Sequence, residues 1–187
     1  MAPKVKVSAE DIVRAGLGLV RERGAGALNA RALAEALNCS TQPIFSNFQS
    51  MEELTAEVMR SAHKLYLGFI KNEAESGKYP RYKAYGMAYI RFASDERELF
   101  KLLFMCDRRG ADLQTTEDFD ASVEMIMEAN GVSLETARLM HLEMWTCVHG
   151  IAVMTATSFL SFEWDVISGM VTDIYQGLRL RHLSEVM

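Results

Sequence analysis

The feature that most constrains this chain is a series of closely spaced helix start and stop signals before residue 55. Ser8 is followed three residues later by Asp11, which is the spacing of a capping box with Asp in place of Glu or Gln. Apolar residues then recur at helical spacing as far as Gly24, a residue type that commonly follows the end of a helix. Ser50 and Glu53 have the same capping-box spacing and predict the start of a longer helix.

Two short helices joined by a turn are predicted between these points. Asn29 is placed to cap the first of them, and Ser40 is placed to cap the second, with its hydroxyl directed at the N–H of Gln42. Pro43 then falls at the third helical position, where a missing N–H costs little because first-turn donors have no partner within the helix. A helix-turn-helix has one dominant use, which is to place the start of its second helix in the DNA major groove.

The order of residues 25–54, AGALNARALAEALNCSTQPIFSNFQSMEEL, resembles the N-terminal DNA-binding domain of TetR-family transcriptional regulators. The pattern of that family is a Thr-x-Arg-x-Ile-Ala helix, a Gly-Val-Ser turn, then Leu-Tyr-x-His-Phe and Lys-x-x-Leu. Three positions depart from it, since Phe45 replaces Tyr, Asn47 replaces His and Met51 replaces a Lys that usually lies near the DNA backbone. The positions in register are Asn29, Arg31, Leu33, Ala34, Ser40, Ile44, Phe48 and Leu54.

A second part of the chain has its own resemblance. Residues 86–93, GMAYIRFA, and the later Glu98-Leu99-Phe100 and Leu103-Phe104 are similar to the sensor half of TetR-family members with a WHG-type C-terminal domain. The Trp145-x-x-x-His149-Gly150 segment carries the signature. The resemblance implies that long helices enclose a small-molecule cavity and that the last two helices form a four-helix dimer interface with those of a partner.

The whole pattern favours an all-α fold of about nine helices. Only three prolines occur in 187 residues, none of them in the long patterned segments after Pro80, and the hydrophobic fraction of 49% supports a sizeable core. We expect a three-helix helix-turn-helix DNA-binding domain over residues 1–50 and a helical ligand-binding and dimerisation bundle over residues 51–187. The later helices are predicted over residues 52–71, 79–93, 95–105, 116–129, 133–159 with Ser133 as cap, and 162–180.

Composition gives weaker indications about function. Residues 1–50 carry a net charge of +2 within a chain of net charge −5, which is a mildly basic head on an acidic body. The three cysteines are far apart and form no C-x-x-C pair, so we predict no disulfide framework and no metal site, and we expect each cysteine to be a small buried hydrophobe. No apolar run predicts a membrane span or a signal peptide, so the cytoplasm is the expected location.

The DNA-binding residues are assigned through the resemblance and the chemistry of each side chain. Gln42 is the best reader of base edges because an amide pairs bidentately with adenine, and Thr41 can contact a thymine methyl group. Asn29 and Arg31 are expected to meet phosphates, because the start of the first helix of the motif crosses the backbone. Lys4 and Lys6 form either a backbone-binding arm or a disordered tail. The full predicted set is Asn29, Arg31, Ser40, Thr41, Gln42, Pro43, Phe45, Ser46 and Asn47.

The predicted ligand-binding residues are defined less sharply. Trp145 and His149 lie one helical turn apart, so they share a face. One interpretation has them line the ligand cavity. The favoured alternative is structural packing, with His149 hydrogen-bonded inside the bundle and Gly150 permitting a close helix approach. The candidate residues are Tyr89, Phe92, Phe104, Met144, Trp145 and His149.

These observations predict a ligand-responsive transcriptional regulator, a repressor by the usual logic of the family, that binds a pseudo-palindromic operator as a homodimer. The expected ligand is a small apolar or amphipathic molecule, and no cofactor is expected. The alternative is a helical small-molecule carrier or an enzyme without DNA binding, although the sequence contains no nucleophile motif and no Gly-rich phosphate loop. A scaffold that has lost DNA binding is a third interpretation, consistent with the Phe45 and Met51 departures.

Overall fold

The computed structural model describes residues 7–106, 117–159 and 161–184, and of residues 117, 118 and 184 the backbone only. Over these ranges the chain forms nine α-helices, a single 3₁₀ turn at Ala25–Ala27 and no β-strand, which confirms the all-α prediction. The helices are α1 (Ala9–Arg23), α2 (Ala30–Ala36), α3 (Gln42–Asn47), α4 (Met51–Glu75), α5 (Arg81–Asp95), α6 (Arg97–Phe104), α7 (Glu117–Asn130), α8 (Leu134–Ala156) and α9 (Trp164–Ser184).

Most of the predicted helix starts have the caps that the sequence indicates. The Ser8 hydroxyl accepts from the N–H of Asp11 at 3.1 Å, and the Asp11 carboxylate accepts from the N–H of Ser8 at 3.2 Å, which completes the box on α1. The Asn29 side chain caps α2, and the Ser133 hydroxyl caps α8 by accepting from the N–H of Thr136 at 3.2 Å. Local polar residues therefore fix where these three helices begin.

The predicted start of α3 is wrong by one residue. Ser40 does not cap it, because α3 begins at Gln42 with Thr41 as the preceding residue and Pro43 at the second helical position instead of the third. Thr41 has φ −72° and ψ −14°, whereas a capping side chain needs extended backbone to reach the first turn, and its hydroxyl makes no capping bond. Pro43 also removes one of the donors that a cap would satisfy.

Several helix ends differ from the predicted bounds for local reasons. α5 begins at Arg81 instead of residue 79, because Pro80 disfavours helical backbone at the residue before it. α8 ends at Ala156 instead of residue 159, since Ser158 adopts a left-handed φ of 55° and the N–H of Phe159 bonds back to the carbonyl of Met154. The predicted start of α7 at residue 116 and the loop that follows Cys106 lie outside the described residues.

The first of two compact units comprises, among the described residues, 7–67 and 96–106. Its core is formed by the apolar faces of α1, α2, α3, the first part of α4, and α6. Gly16 permits the close approach of α1 and α4, because a Cβ atom added there would lie 2.8 Å from a methyl group of Val58. The Arg21 guanidinium on α1 donates two hydrogen bonds of 2.7 and 2.9 Å to the Glu96 carboxylate, which ties α1 to the start of α6.

The second unit comprises, among the described residues, 68–95, 117–159 and 161–184. In it, α8 packs against α5, α7 and α9. One core cluster of this unit contains Phe119, Val123, Ile126, Val132, Ala137 and Met140. The two units are not the predicted domains, because the first part of α4 and all of α6 belong with the helix-turn-helix; the functional division after residue 50 stays a prediction.

The expectations about cysteine burial, membrane spans and metal sites can be compared with the structure. The predicted burial of the cysteines is wrong, since Cys106 is exposed and Cys39 and Cys147 are only half-buried. No described helix combines the length and the apolar character needed to cross a membrane. Within the described ranges no group of three or more His, Cys, Asp or Glu side chains is placed to hold a metal ion.

Candidate nucleic-acid interface

The helix α3 divides into a buried side and an exposed side. Ile44 and Phe48 are buried in the core of the first unit, with exposed fractions of 0% and 5%. On the other side, the Phe45 ring is 51% exposed. The remaining residues of the predicted DNA-binding set on and before α3 are exposed, except for the half-buried Pro43; these are Ser40, Thr41, Gln42, Ser46 and Asn47.

The exposed polar side chains of α3 differ in how far they are already engaged. The Ser46 hydroxyl donates to the carbonyl of Gln42 at 2.9 Å, and the Asn47 amide donates to the carbonyl of Pro43 at 2.8 Å. These bonds hold the two side chains against their own helix. Thr41 and Gln42 make no side-chain hydrogen bond to any residue that the structure describes, so both are available to an external partner.

The start of α2 presents the two predicted phosphate contacts. Asn29 is exposed, but its side chain already accepts from the N–H of Ala32 at 3.0 Å and donates to the carbonyl of Ala27 at 3.2 Å. Its first role is therefore to cap α2. Arg31 is exposed and has no ion pair with a described residue, so its guanidinium is the cation of the motif that is available for a phosphate.

The start of α4, which follows α3 directly, is acidic. The Ser50 hydroxyl accepts from the N–H of Glu53 at 3.3 Å, while the Glu53 carboxylate accepts from the N–H of Gln49 at 2.6 Å. Both side chains of the predicted capping box therefore bond to backbone N–H groups, but the Glu53 carboxylate bonds to the N–H of Gln49 and not to that of Ser50. A hydrogen bond from Ser50 lowers the pKa of the exposed Glu52 carboxyl, which keeps it ionised. Where the TetR pattern has a lysine, this chain therefore has Met51, followed directly by the carboxylates of Glu52 and Glu53.

The predicted ligand-binding residues lie mainly in the second unit. The Tyr89 hydroxyl on α5 is 2.8 Å from Nδ1 of His149 on α8, and the imidazole stacks on the Trp145 ring with centroids 4.9 Å apart and planes 9° apart. Phe92 and Met144 are buried in the same unit. Phe104 belongs to the first unit instead, where its ring packs edge-on against Tyr66 at 5.2 Å.

This geometry agrees with the packing interpretation of His149, and its role in a ligand cavity stays a prediction. The expectation that Gly150 permits a close helix approach is wrong, because a Cβ atom there would meet nothing within 4 Å. The close approach of α5 and α8 is at Gly86, where an added Cβ atom would lie 3.4 Å from a methyl group of Val148.

A second tyrosine–histidine pair joins the same two helices and was not identified as a pair from the sequence. The Tyr82 hydroxyl lies 2.9 Å from Nδ1 of His141, which is buried against the edge of Phe119. Burial lowers the pKa of His141 to about 4 and raises the pKa of Tyr82, so both groups are neutral near pH 7. The signal in the sequence was the parallel spacing, since Tyr82 and Tyr89 lie seven residues apart and the histidines eight.

Comparisons with known proteins identify a matching family model and proteins of similar fold. A family model described as the tetracycline repressor-like, C-terminal domain matches residues 82–170. Among solved structures, 17 chains match. One of them, titled "Structure of a protein with unknown function from Rhodococcus sp. RHA1", is 21% identical over 96% of this chain and 100% of that chain, with a TM-score of 0.73, which shows a shared fold. No curated protein sequence matches the chain.

The family resemblance drawn from the second half of the sequence is therefore confirmed at the level of the C-terminal domain. The matched segment begins at Tyr82 and contains all of α7 and α8, including the stacked Trp145 and His149. The match favours a regulator of the TetR type. Residues 82–170 match the tetracycline repressor-like C-terminal domain family, and this part of the chain, just under half of it, is TetR-like.

Proposed function

We propose that this protein is a ligand-responsive transcriptional repressor that binds a pseudo-palindromic operator as a homodimer. The observation that carries the proposal is the orientation of α3, which buries Ile44 and Phe48 and exposes Thr41 and Gln42 at its N-terminal end. In a helix-turn-helix the start of the second helix is the part that meets base edges in the major groove. The Gln42 amide, which has no described partner, is the proposed reader of an adenine.

Phosphate contacts would come from the rest of the motif. Arg31 supplies a cation beside the start of α2, and the exposed Phe45 ring supplies an apolar surface where the TetR pattern has a tyrosine hydroxyl. The acidic start of α4 offers no cation. We therefore expect fewer phosphate contacts than the TetR pattern implies, and a correspondingly shallow dependence of affinity on salt.

Dimerisation is proposed through α8 and α9. Both helices carry exposed apolar side chains, including Leu139 and Leu142 on α8 and Val166 and Leu180 on α9. A partner copy would cover them, as expected for exposed apolar patches that are functional. A dimer would present two α3 helices to successive major grooves, which are about 34–36 Å apart.

The proposed ligand is a small apolar or amphipathic molecule bound in the second unit, near the buried aromatic side chains of α5 and α8. Tyr89 and Phe92 line one side of that region, and Trp145 lies on the facing helix. The ligand can release DNA only if it binds one conformation of the dimer more tightly than the other. An aromatic surface with one tyrosine–histidine pair suits a ligand that is mostly apolar and has a single polar group.

A gel-shift experiment with the DNA upstream of the gene for this protein tests the proposal. We expect the wild-type protein to bind and retard an upstream duplex on the gel. We expect Gln42→Ala to reduce the preference for the correct base pair at one position by about 1–3 kcal/mol. Asn72→Ala is the matched control, because it removes another exposed amide from the far part of α4. Wild-type protein that ignores all upstream duplexes would favour the carrier or enzyme alternative. Equal weakening on every duplex would remove Gln42 as a base reader.

A further inference from the structure

Three cations lie close together in sequence where α5 begins. Lys78, Arg81 and Lys83 fall within six residues, and no acidic residue occurs between Glu75 and Asp95. Lys78 and Arg81 are exposed, whereas Lys83 is half-buried. Burial removes part of the water that stabilises an ammonium group, so a lysine in such a place usually has a carboxylate partner.

The ammonium group of Lys83 is held by neutral groups instead. It donates to the hydroxyls of Ser168 and Thr172 on α9, with 2.7 Å to each, and lies 5.0 Å from the centroid of the Tyr79 ring. The Lys78 ammonium lies over the same ring, 5.1 Å from its centroid. The two ammonium groups are therefore no more than about 10 Å apart, and they repel each other.

No carboxylate of the described chain is paired with Lys83. Glu163 and Asp173 are exposed and each lie five residues from Ser168, which places them on the other side of α9. Asp165 is exposed on the same side as Ser168, one turn earlier, and it forms no ion pair with a described residue. One carboxylate thus lies near three cations, and the surroundings of Lys83 carry an excess of positive charge.

The other cations on the facing helices of this unit have partners. These contacts are Lys71 with Glu75, Arg91 with Glu73, Arg181 with Glu143, and Arg179 with the side-chain oxygens of Asn130 and Gln176. Lys78, Arg81 and Lys83 differ from them, because none of the three forms an ion pair with a residue that the structure describes.

We propose that Lys78, Lys83 and the Ser168 hydroxyl bind a phosphate group, carried by a small molecule or free in solution. The inference goes beyond the proposed function, because it requires neither DNA nor the aromatic region around Tyr89. Two ammonium groups match the charge of about −2 that a phosphate group has above pH 7. Lysine binds phosphate as a point charge, so the site needs no bidentate geometry.

The two hydroxyls differ in what they can donate. The Thr172 hydroxyl donates to the carbonyl of Ser168 at 3.0 Å, so it has no hydrogen left for a ligand. The Ser168 hydroxyl accepts from Lys83, and its own O–H donates to no described residue. A phosphate oxygen accepts from this O–H and takes the place of the Tyr79 ring beside Lys83, because a charged oxygen attracts an ammonium group more strongly than a ring face does.

The first test titrates the full chain with inorganic phosphate at pH 8 and constant ionic strength, followed by calorimetry. We expect one phosphate per chain, bound about 10- to 100-fold more weakly by Lys83→Gln. Lys71→Gln is the matched control, the same change at an exposed lysine of the same unit that is paired with Glu75, and we expect a change below about twofold. Equal effects of the two substitutions, or no saturable binding by the wild type, would overturn the site.

The second test compares the two hydroxyls and the exposed lysine. Ser168→Ala should weaken phosphate binding by about tenfold, whereas Thr172→Val should stay within about threefold of the wild type. Lys78→Gln, which alters an exposed side chain only, should weaken binding by about two- to fivefold. If Lys83 merely ties α5 to α9, Ser168→Ala and Thr172→Val lower the thermal midpoint alike and change phosphate binding equally, which contradicts the proposal.

The third test distinguishes the source of the phosphate group. Equal affinity for phenyl phosphate and inorganic phosphate indicates a site for the free ion, whereas affinity about tenfold higher for phenyl phosphate indicates an organic phosphate whose apolar part lies beside the Tyr79 ring. Acetate, with a single charge, should bind about tenfold more weakly than phosphate. Acetate binding as tight as that of phosphate would overturn the assignment to a phosphate group.

The outcomes separate this inference from the proposed function. A chain that retards its upstream duplex and binds no inorganic phosphate keeps the proposed function and loses this site. Circular dichroism of each variant establishes that the helices are intact. If Lys83→Gln unfolds the chain, Lys83→Arg provides the comparison, because it keeps the charge and should bind phosphate within about threefold of the wild type. Loss of binding in a folded Lys83→Arg variant would contradict the role of the charge.

Discussion

The two compact units are stabilised in different ways. Among the described residues of the first unit, no charged side chain is buried, and its buried positions are apolar apart from the ring of Tyr66. The second unit buries Ser122, His141 and His182, with His141 bonded to Tyr82 and His182 to the Glu143 carboxylate at 2.8 Å. An apolar core is insensitive to pH, whereas burial lowers the pKa of His141, so its imidazole must stay neutral in the folded state. The stability of the second unit should therefore depend on acidity more than that of the first.

The largest expected effect is on the second unit in acid. The folded pKa of His141 is about 4, below the unfolded value of 6.5, so the unfolded chain binds its proton first. The contribution to stability is fully present above pH 6.5 and is lost as the pH falls towards 4, by about 3 kcal/mol in total. Denaturant unfolding followed by tryptophan fluorescence measures this, since both tryptophans, Trp145 and Trp164, lie in the second unit.

The control for this prediction is His141→Leu, which keeps the volume and removes the titrating group. We expect the acid-dependent loss to shrink by about 3 kcal/mol in that variant, measured relative to its own stability at pH 8. If the free energy of unfolding of His141→Leu depends on pH as that of the wild type does, the acid sensitivity comes from other groups. His141 would then not explain a difference in pH dependence between the two units.

A smaller effect is expected from a substitution in the core of the first unit. Gly16→Ala places a Cβ atom 2.8 Å from a methyl group of Val58, and such overpacking destabilises by about 1–3 kcal/mol. Unfolding followed by circular dichroism should show the loss, and it should be the same at pH 5 and pH 8. Val58→Ala added to Gly16→Ala should recover part of it. A strongly pH-dependent loss would break the contrast between the two cores.

The smallest expected effect concerns a helix cap in the first unit. Asn29→Ala removes the acceptor for the N–H of Ala32 and should destabilise by about 0.5–2 kcal/mol. Asn29→Asp keeps an acceptor oxygen at that place and should retain most of the stability. The thermal midpoint of each variant is the measurement. Equal losses for Ala and Asp would show that the donor bond to the carbonyl of Ala27 is the more important one.

Local signals explain why several helix starts, two in the first unit and one in the second, could be predicted from the sequence. Ser8, Asn29 and Ser133 each satisfy backbone donors within three residues of themselves, so the start of each helix depends on neighbours in the chain. The wrong prediction that Ser40 caps α3 also has a local cause. Capping depends on the backbone angles of Thr41 and on the missing donor of Pro43, and residue types alone do not give those angles.

Contacts between distant parts of the chain were harder to predict. The pairing of Tyr82 with His141 spans 59 residues, and the bond between Arg21 and Glu96 spans 75. Neither pair has a local spacing rule, since the partners meet only when separate helices pack. The ligand-binding assignments have the same weakness, and Phe104 accordingly falls in a different unit from the other five candidates.

The sequence by itself determined the all-α class, most of the helix starts, and the outward polar side of the helix that begins at Gln42, because each of these follows from spacing along one stretch of chain. The tertiary structure decided which residues share a unit, that α6 belongs with the helix-turn-helix, and that His141 is buried and neutral beside Tyr82. These depend on how helices pack, and packing brings together residues whose separation in sequence carries no information about their distance.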